Sequence, residues 1–449
     1  MGEMSVPDDA LYGASTQRAV LNFPISGRPM PEAFVRSLGL VKLACARAAE
    51  ELGLMPSARS GPLQAAAREV AEGRLTAHFP VDVFQTGSGT STNMNANEVI
   101  ARRALQLAPD AGRPFHPNDE VNLGQSSNDI IPTALHVSVA VALHHRLAPA
   151  LRKLAATLDA RAGDFAGIVK LGRTHLMDAT PLTLGQEFSG YAAQAFKAAD
   201  RAERAATRLR ELAVGGTAVG TGLNCPPGFA TAVCRILAAE TGLPFVEAAN
   251  HFEAQAARDD LAEVAGALAA IAAALTKVAN DIRLLGSGPR AGIGELRLPA
   301  TQPGSSIMPG KVNPVMSEML VQVGLYVQGL TQTALLCARE GHCELNATLP
   351  LLAHCLHESI QVLANGTETF DARCVAGLEA DPARCRELVD RSLMLVTALN
   401  PLIGYDAAAA VAKEAFASGR SLREVVLERG LLDVQTLDRA LDPRGMTGP

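Results

Sequence analysis

The clearest pattern along the chain lies in its middle. Leu261, Val264, Leu268, Ile271, Leu275, Val278, Ile282 and Leu285 recur at spacings of three and four, a heptad stripe sustained over several repeats. The stripe predicts one helix of about 25 residues, roughly 37 Å long at about 1.5 Å per residue. Alanine fills most of its other faces, so this helix is apolar all round and must be buried, most simply inside a bundle. Its uncharged part, 264–276, is shorter than the roughly 20 residues that a membrane span needs. Leu135, Val139, Leu143, Leu147, Leu151, Leu154 and Leu158 continue at helical spacing. Ser127-Asn128-Asp129 is the expected cap of that helix, with Pro132 in its first turn and Pro149 as a kink. Further helices are expected over 182–212, from Pro314 through Met319, Val323, Val327 and Leu330, and over 349–370. The predicted fold class is mainly α, a central bundle of long antiparallel helices.

The ends of the chain differ from the middle. Residues 1–125 mix shorter helices with Gly- and Pro-rich loops, and the tail has short helices joined by turns at Asn400-Pro401 and Ser418-Gly419. The expected division is an N-terminal domain over 1–125, a central bundle over 126–382 and a small helical domain over 383–449.

Composition narrows the classes. At 449 residues, with 48% hydrophobic and 19% charged positions, the chain can bury a large core and is not disordered. Aromatic residues make up 4% and Trp is absent, so Ala and Leu carry the packing and favour helix. A net charge of −6 implies no basic face for nucleic acid. Any anionic ligand must be gathered by local positive groups. The eight cysteines form no C-x-x-C pair, which argues against zinc or thioredoxin chemistry and fits a reducing cytosol. No signal peptide is visible at the start, and the expected location is cytoplasmic.

Into this apolar chain are set unusually polar stretches. Thr86–Asn97, His116–Asp129 and Gly172–Gln186 are rich in Ser, Thr, Asn, His and Gly. Singly, such clusters are ordinary turn and cap material. A lone His175 would most simply be a core histidine, and a lone Glu318 a solvated helix residue. The run Gly304–Pro314, Gly-Ser-Ser-Ile-Met-Pro-Gly-Lys-Val-Asn-Pro, is more specific. Glycines let it wrap a ligand closely, the serines and backbone N–H groups donate, and Lys311 adds one positive charge. Those parts suit a small, doubly charged carboxylate whose reaction builds up further negative charge. Several islands together raise the expectation of an anion site at helix ends.

These islands resemble the fumarase/aspartase superfamily, and most closely its class II fumarases. Gly304–Pro314 looks like the superfamily signature, and the segments 86–95, 116–129, 172–186, 215–224 and 392–400 are similar to fumarase segments in fumarase order. The resemblance implies a three-domain fold and a homotetramer whose active sites each draw on three subunits. It implies reversible hydration of fumarate to (S)-malate, a step of the citric acid cycle, with no metal or organic cofactor and no membrane partner. Carried over position by position, Ser305 matches the base that removes the C3 proton, His175 the active-site histidine, Glu318 its acidic partner and Lys311 a catalytic cation. Ser88, Gly89, Thr90, Arg113, Ser126, Ser127, Asn128, Thr174, Ser306, Val312 and Asn313 match substrate-binding positions. His116, Pro117, Asn118 and Asp119 match a second dicarboxylate site near the entrance.

The chain departs from the pattern at Cys343, where many fumarases carry Phe, which leaves the packing there open. The alternative is an aspartate ammonia-lyase, which differs in the leaving group. Related aspartases tend to carry Thr at the position of Ser127 and Ala at that of Gly310, and this chain has the fumarase-like residue at both. A non-catalytic descendant should show erosion at Ser305, Lys311 or His175, and all three are intact.

Overall fold

A computed structural model describes residues 2–448. Seventeen helices occur among the described residues, and strand pairing is limited to four two-stranded sheets. The heptad stripe lies on the helix Asp259–Leu285, and every one of its eight apolar positions is buried. The other long helices are Leu184–Arg208, Val315–Ala338 and Leu349–Arg373. Tyr191, early in Leu184–Arg208, donates to Asp281, late in Asp259–Leu285, at 3.0 Å. Arg208, at the end of the first, meets Glu263, at the start of the second, at 3.1 Å. The two helices are therefore antiparallel, as expected. By length and composition Asp259–Leu285 and Val315–Ala338 could each cross a membrane, more than the uncharged stretch 264–276 suggested. The first runs on through Glu263 and Lys277, the charged residues that bounded that stretch. The buried stripe marks the first as a core helix.

The chain divides into two compact units. One holds Met1–Ala150, Ala198–Ala273 and Val323–Asn365; the other holds Leu151–Lys197, Ala274–Gln322 and Gly366–Pro449. In the first, the helix Glu32–Glu51 packs against Ser57–Ala71, Ser127–Ala142 and Phe229–Thr241. Its 20 residues, and the 18 of Thr90–Leu107, exceed the shorter helices expected before residue 125. The cap of Ser127–Ala142 is Ser126, one residue ahead of the expected trio. Ser126 and Asp129 form a reciprocal capping box, so Pro132 falls in the second turn. The kink expected at Pro149 takes the form of a π-helical turn, Leu143–Leu147, that leads into Ala148–Asp164. Proline offers no N–H to the carbonyl four residues back, and the chain re-registers just before it.

The second unit contains the antiparallel hairpin Val169–Thr174 and Met177–Thr183, where the sequence pattern indicated only a polar connection. The helix expected over 182–212 is Leu184–Arg208, and Glu211–Leu212 leaves it to pair in parallel with Val246–Glu247. The tail forms its own apolar cluster around Leu399, Val411, Leu422, Val425, Val426 and Leu437. Asn400-Pro401 opens a short helix, Asn400–Ile403, where a turn was expected. Proline is suited to a first helical turn as well as to a bend. Ser418-Gly419 does end a helix, with Gly419 in the left-handed region at φ 69°.

One buried carboxylate organises the polar part of the first unit. Asp129 is fully buried; its Oδ1 accepts the Ser126 N–H at 2.9 Å, and its Oδ2 accepts the Gly215 and Thr217 N–H groups at 3.0 Å each. Burial pushes its carboxyl up to about 6, while the three N–H groups and nearby Lys42 favour its ionised form. Replacing it with Ala leaves three backbone donors without an acceptor, at about 1–3 kcal/mol for each that stays dry. Asp129→Ala is expected to lower stability by about 3 kcal/mol or more, and Asp129→Asn, which keeps one acceptor oxygen, by less. Denaturation midpoints of the two variants and the parent measure this.

Candidate active site

The loop Gly304–Pro314 is folded around its own first residue. Gly304 N–H donates to the Lys311 carbonyl at 2.8 Å, and Asn313 Nδ2 donates to the Gly304 carbonyl at 2.8 Å. A Cβ on Gly304 would stand 2.5 Å from the Lys311 carbonyl oxygen, so only glycine fits. Within this ring Ser305 Oγ accepts two backbone N–H groups, from Ile307 at 3.2 Å and Met308 at 3.1 Å. Ser305 is half-buried, whereas Ser306, Ile307, Lys311 and Val312 are exposed. Glu318 lies in the first turn of Val315–Ala338, where a carboxylate suits the helix N-terminus.

The same unit presents His175 on the hairpin. Thr174 pairs with Met177, so the turn consists of His175 and Leu176 alone, at φ 56° and 62°. A two-residue hairpin turn needs left-handed angles at both positions, usually filled by Asn and Gly. Here two side chains with a Cβ take them. His175 is exposed, as are Leu176 and Met177 at 75% and 70%. Among the described residues no hydrogen bond or ion pair joins His175 to Glu318 or to Ser305.

The remaining islands meet in the first unit. Ser88 and Thr90 share a hydroxyl–hydroxyl bond of 2.9 Å at the start of Thr90–Leu107, with Gly89 as its left-handed cap. Asn93 Nδ2 from that helix donates to Ser127 Oγ at 3.0 Å. Asn128 Nδ2 donates to the Ala218 carbonyl at 2.9 Å, which adds the segment that Asp129 already holds. Ser88, Thr90, Ser126, Ser127 and Asn128 thus belong to one polar layer. Beneath it Lys42 is buried and donates to Asn122 at 3.0 Å and Gln125 at 2.9 Å; burial lowers its ammonium to about 8.

His116, Pro117, Asn118 and Asp119 form a separate surface turn. His116 Nδ1 accepts the Asp119 N–H at 3.0 Å and lies 3.2 Å from its carboxylate. Arg113, expected among the substrate-binding residues, bonds Glu120 beside this turn at 3.2 Å. Arg59 also bonds Glu120, at 2.6 Å, and stacks over Phe115. Burial works against the Glu120 carboxylate, but Arg59 and the His116 N–H hold it below its ordinary value.

The sequence reading missed Lys42, Asp129 as an anchor, and the Lys170, Arg173 and Glu295 cluster that underlies the hairpin. A lysine inside the apolar run Val41–Cys45 was the one legible signal. Cys343 proves to be an exposed turn residue at φ 50°, between Gly341–His342 and Leu345–Asn346.

Comparison with known proteins identifies the family. A lyase family model matches residues 2–329, and a model of the fumarase C C-terminus matches 395–448. A class II fumarate hydratase of Pseudomonas aeruginosa is 52% identical, with 99% of this chain and 97% of that protein covered. The human mitochondrial fumarate hydratase is 49% identical over 100% of this chain and 89% of its own length. The crystal structure of a class II fumarase from Schistosoma mansoni superposes with a TM-score of 0.97 at 41% identity, covering 100% of this chain and 98% of that one. Signature loop, fold and full-length likeness agree, and the chain belongs to the class II fumarase family.

Proposed function

We propose that the chain catalyses the reversible hydration of fumarate to (S)-malate and serves the citric acid cycle. The observation that carries the mechanism is the pair of backbone N–H groups aimed at Ser305 Oγ. A serine hydroxyl is a poor base because its alkoxide is unstable in water. Two fixed donors, with the Lys311 charge on the same loop, stabilise that alkoxide and make it able to take a proton. Starting from (S)-malate, the Ser305 alkoxide removes the C3 proton. The electron pair moves into the neighbouring carboxylate, which becomes a dianionic enolate-type group. Preorganised donors facing such charge are worth roughly 3–4 kcal/mol each, and the loop N–H groups and Lys311 fill that role. His175, polarised by Glu318, protonates the departing hydroxyl, which leaves as water; in the other direction it activates water. Ser88, Gly89, Thr90, Ser126, Ser127, Asn128, Thr174, Ser306, Val312 and Asn313 hold the two carboxylates. Arg113 belongs with this substrate-binding set, and His116, Pro117, Asn118 and Asp119 form a second dicarboxylate site. The aspartate ammonia-lyase reading is not favoured: the relatives named above are fumarate hydratases.

We further infer a homotetramer with each active site shared between three subunits. The exposed His175 turn, which among the described residues makes no bond to Glu318, supports this, because the pairing is then made between copies. The exposed apolar side chains Leu325, Tyr326 and Leu336 on Val315–Ala338 are the kind of surface that a second copy covers. The three-part division of the chain at 125/126 and 382/383 belongs to this reading and draws support from the separate apolar cluster of the tail. Eight unpaired cysteines support a reducing compartment, the cytoplasm.

Purified protein should raise ultraviolet absorbance from (S)-malate but not from L-aspartate; the reverse would establish the ammonia-lyase. Ser305→Ala should lower kcat by about 10²–10⁴ with the assembly intact, and near-normal turnover would remove Ser305 as the base. His175→Asn should lose about 10²-fold or more in kcat; an unchanged rate would take it out of the mechanism. Light scattering should return the mass of four chains, and an active monomer would refute the shared site.

A further inference from the structure

The left-handed backbone of the His175 turn, at φ 56° and 62°, needs an explanation. Two non-glycine residues in left-handed angles persist only where the surroundings fix the chain on either side. Tip and flanks are exposed, so the fixing must come from the roots of the hairpin. There the structure places a chain of four alternating charges. Glu295 is fully buried. Its Oε2 meets Arg173 Nη1 at 3.0 Å and Lys170 Nζ at 3.1 Å, and its Oε1 accepts from Arg173 Nη2 at 3.1 Å. Lys170, also buried, bonds Glu187 at 2.8 Å on the helix that follows the hairpin. Lys170 and Arg173 belong to one strand, on either side of a bulge at Gly172. A Cβ there would stand 2.4 Å from the Thr180 carbonyl oxygen. Arg173 is two residues from His175.

Glu295 is in turn fixed through its backbone. Its N–H donates to the Leu285 carbonyl at 3.0 Å, and its carbonyl accepts the Asp381 N–H at 2.8 Å. The segment then pairs Leu296–Arg297 with Glu379–Ala380 and runs on to the Ser305 loop. One carboxylate therefore ties the strand that aims His175 to the segment that carries Ser305 within the same unit.

We propose that Glu295 is a positioning residue for the hydration reaction: through its two-pronged bond to Arg173 it sets the aim of His175. The inference rests on the role given to His175 above. Glu295 touches no substrate position and moves no proton. A planar guanidinium held at both nitrogens resists rotation, which a point charge does not, so the direction of the strand end is fixed as well as its place. A catalytic group displaced by about 1 Å can cost 10²-fold in rate.

The test is a double-mutant cycle on the assembled enzyme with (S)-malate. Glu295→Gln alone is expected to lower kcat by 10-fold or more, with KM within about threefold. In a His175→Asn background the same change should lower kcat no further, because there is no imidazole left to aim. A residue that only holds the fold together would multiply its loss onto the His175→Asn loss, and that result would overturn the proposal, as would an unchanged kcat in the single variant. If Glu295→Gln cannot be recovered folded, the cycle is run with Arg173→Lys, which keeps the charge and gives up the second prong, under the same two criteria. Turnover by the unaltered enzyme, and its loss in His175→Asn, are read in the same series. Failure there would count against the proposed reaction rather than against Glu295.

Discussion

A 27-residue helix with an apolar stripe along its whole length is stable only where other chain covers it, and much of this molecule follows from that need. Burial of apolar surface is worth roughly 25 cal/mol per Å², so the long helices must be packed on several sides. Alanine on the remaining faces of Asp259–Leu285 permits close approach. It offers no polar side chain for binding, so chemistry is left to the helix ends and connections. That is where Ser88, Ser126, His175 and Ser305 all occur. Single-chain cover is incomplete, as the exposed Leu325, Tyr326 and Leu336 show. Among the described residues His175 and Glu318 do not bond each other. Under the proposed assembly one event, the burial of helix faces between copies, would complete both the core and the site.

The Ser305 loop illustrates how backbone alone can alter the chemistry of a weak group. Among the described residues no histidine or carboxylate bonds Ser305 Oγ; two N–H groups from the turn that follows it donate to it. Those dipoles are fixed by the Gly304–Lys311 and Asn313–Gly304 bonds, so they need no rearrangement when charge develops. The glycine at 304 is required by the 2.5 Å approach of the Lys311 carbonyl, which closes the ring.

The sequence carried the long helices because their period is regular: each residue of the 261–285 stripe is buried as its spacing requires. The Ser305 loop was legible because its residue types are specialised and contiguous. The hairpin at Val169–Thr183 was not. Its turn uses His175 and Leu176 where turn chemistry calls for Asn-Gly, and its second strand contains Pro181, so neither turn nor strand signals applied. Asn400-Pro401 failed for the opposite reason, since a proline that marks turns also starts helices. The bond of Arg113 to Glu120, seven residues on, was likewise not legible, since no helical or strand period links the two positions.

Buried charge was the least legible feature, and it carries most of the positional information. Lys42, Asp129, Lys170 and Glu295 are each buried, as are Asp82 and Asp371, in a chain where most carboxylates and ammonium groups are on the surface. An apolar core packs well in several registers that differ by small shifts. A buried carboxylate that must meet specific donors does not tolerate such shifts, because a missed partner leaves an uncompensated charge in a dry interior. Asp129 meets three N–H groups from two segments, and Glu295 meets two cations on one strand while its backbone bonds two other segments. Nothing in the periodicity marks these residues, since each is a single charged position in an otherwise ordinary stretch. Their meaning lies in contacts between residues far apart in the chain: Asp129 with Gly215 and Thr217, Glu295 with Lys170 and Arg173. Helical period selects the elements, and these few ionic anchors select the relative placement of the parts that do chemistry.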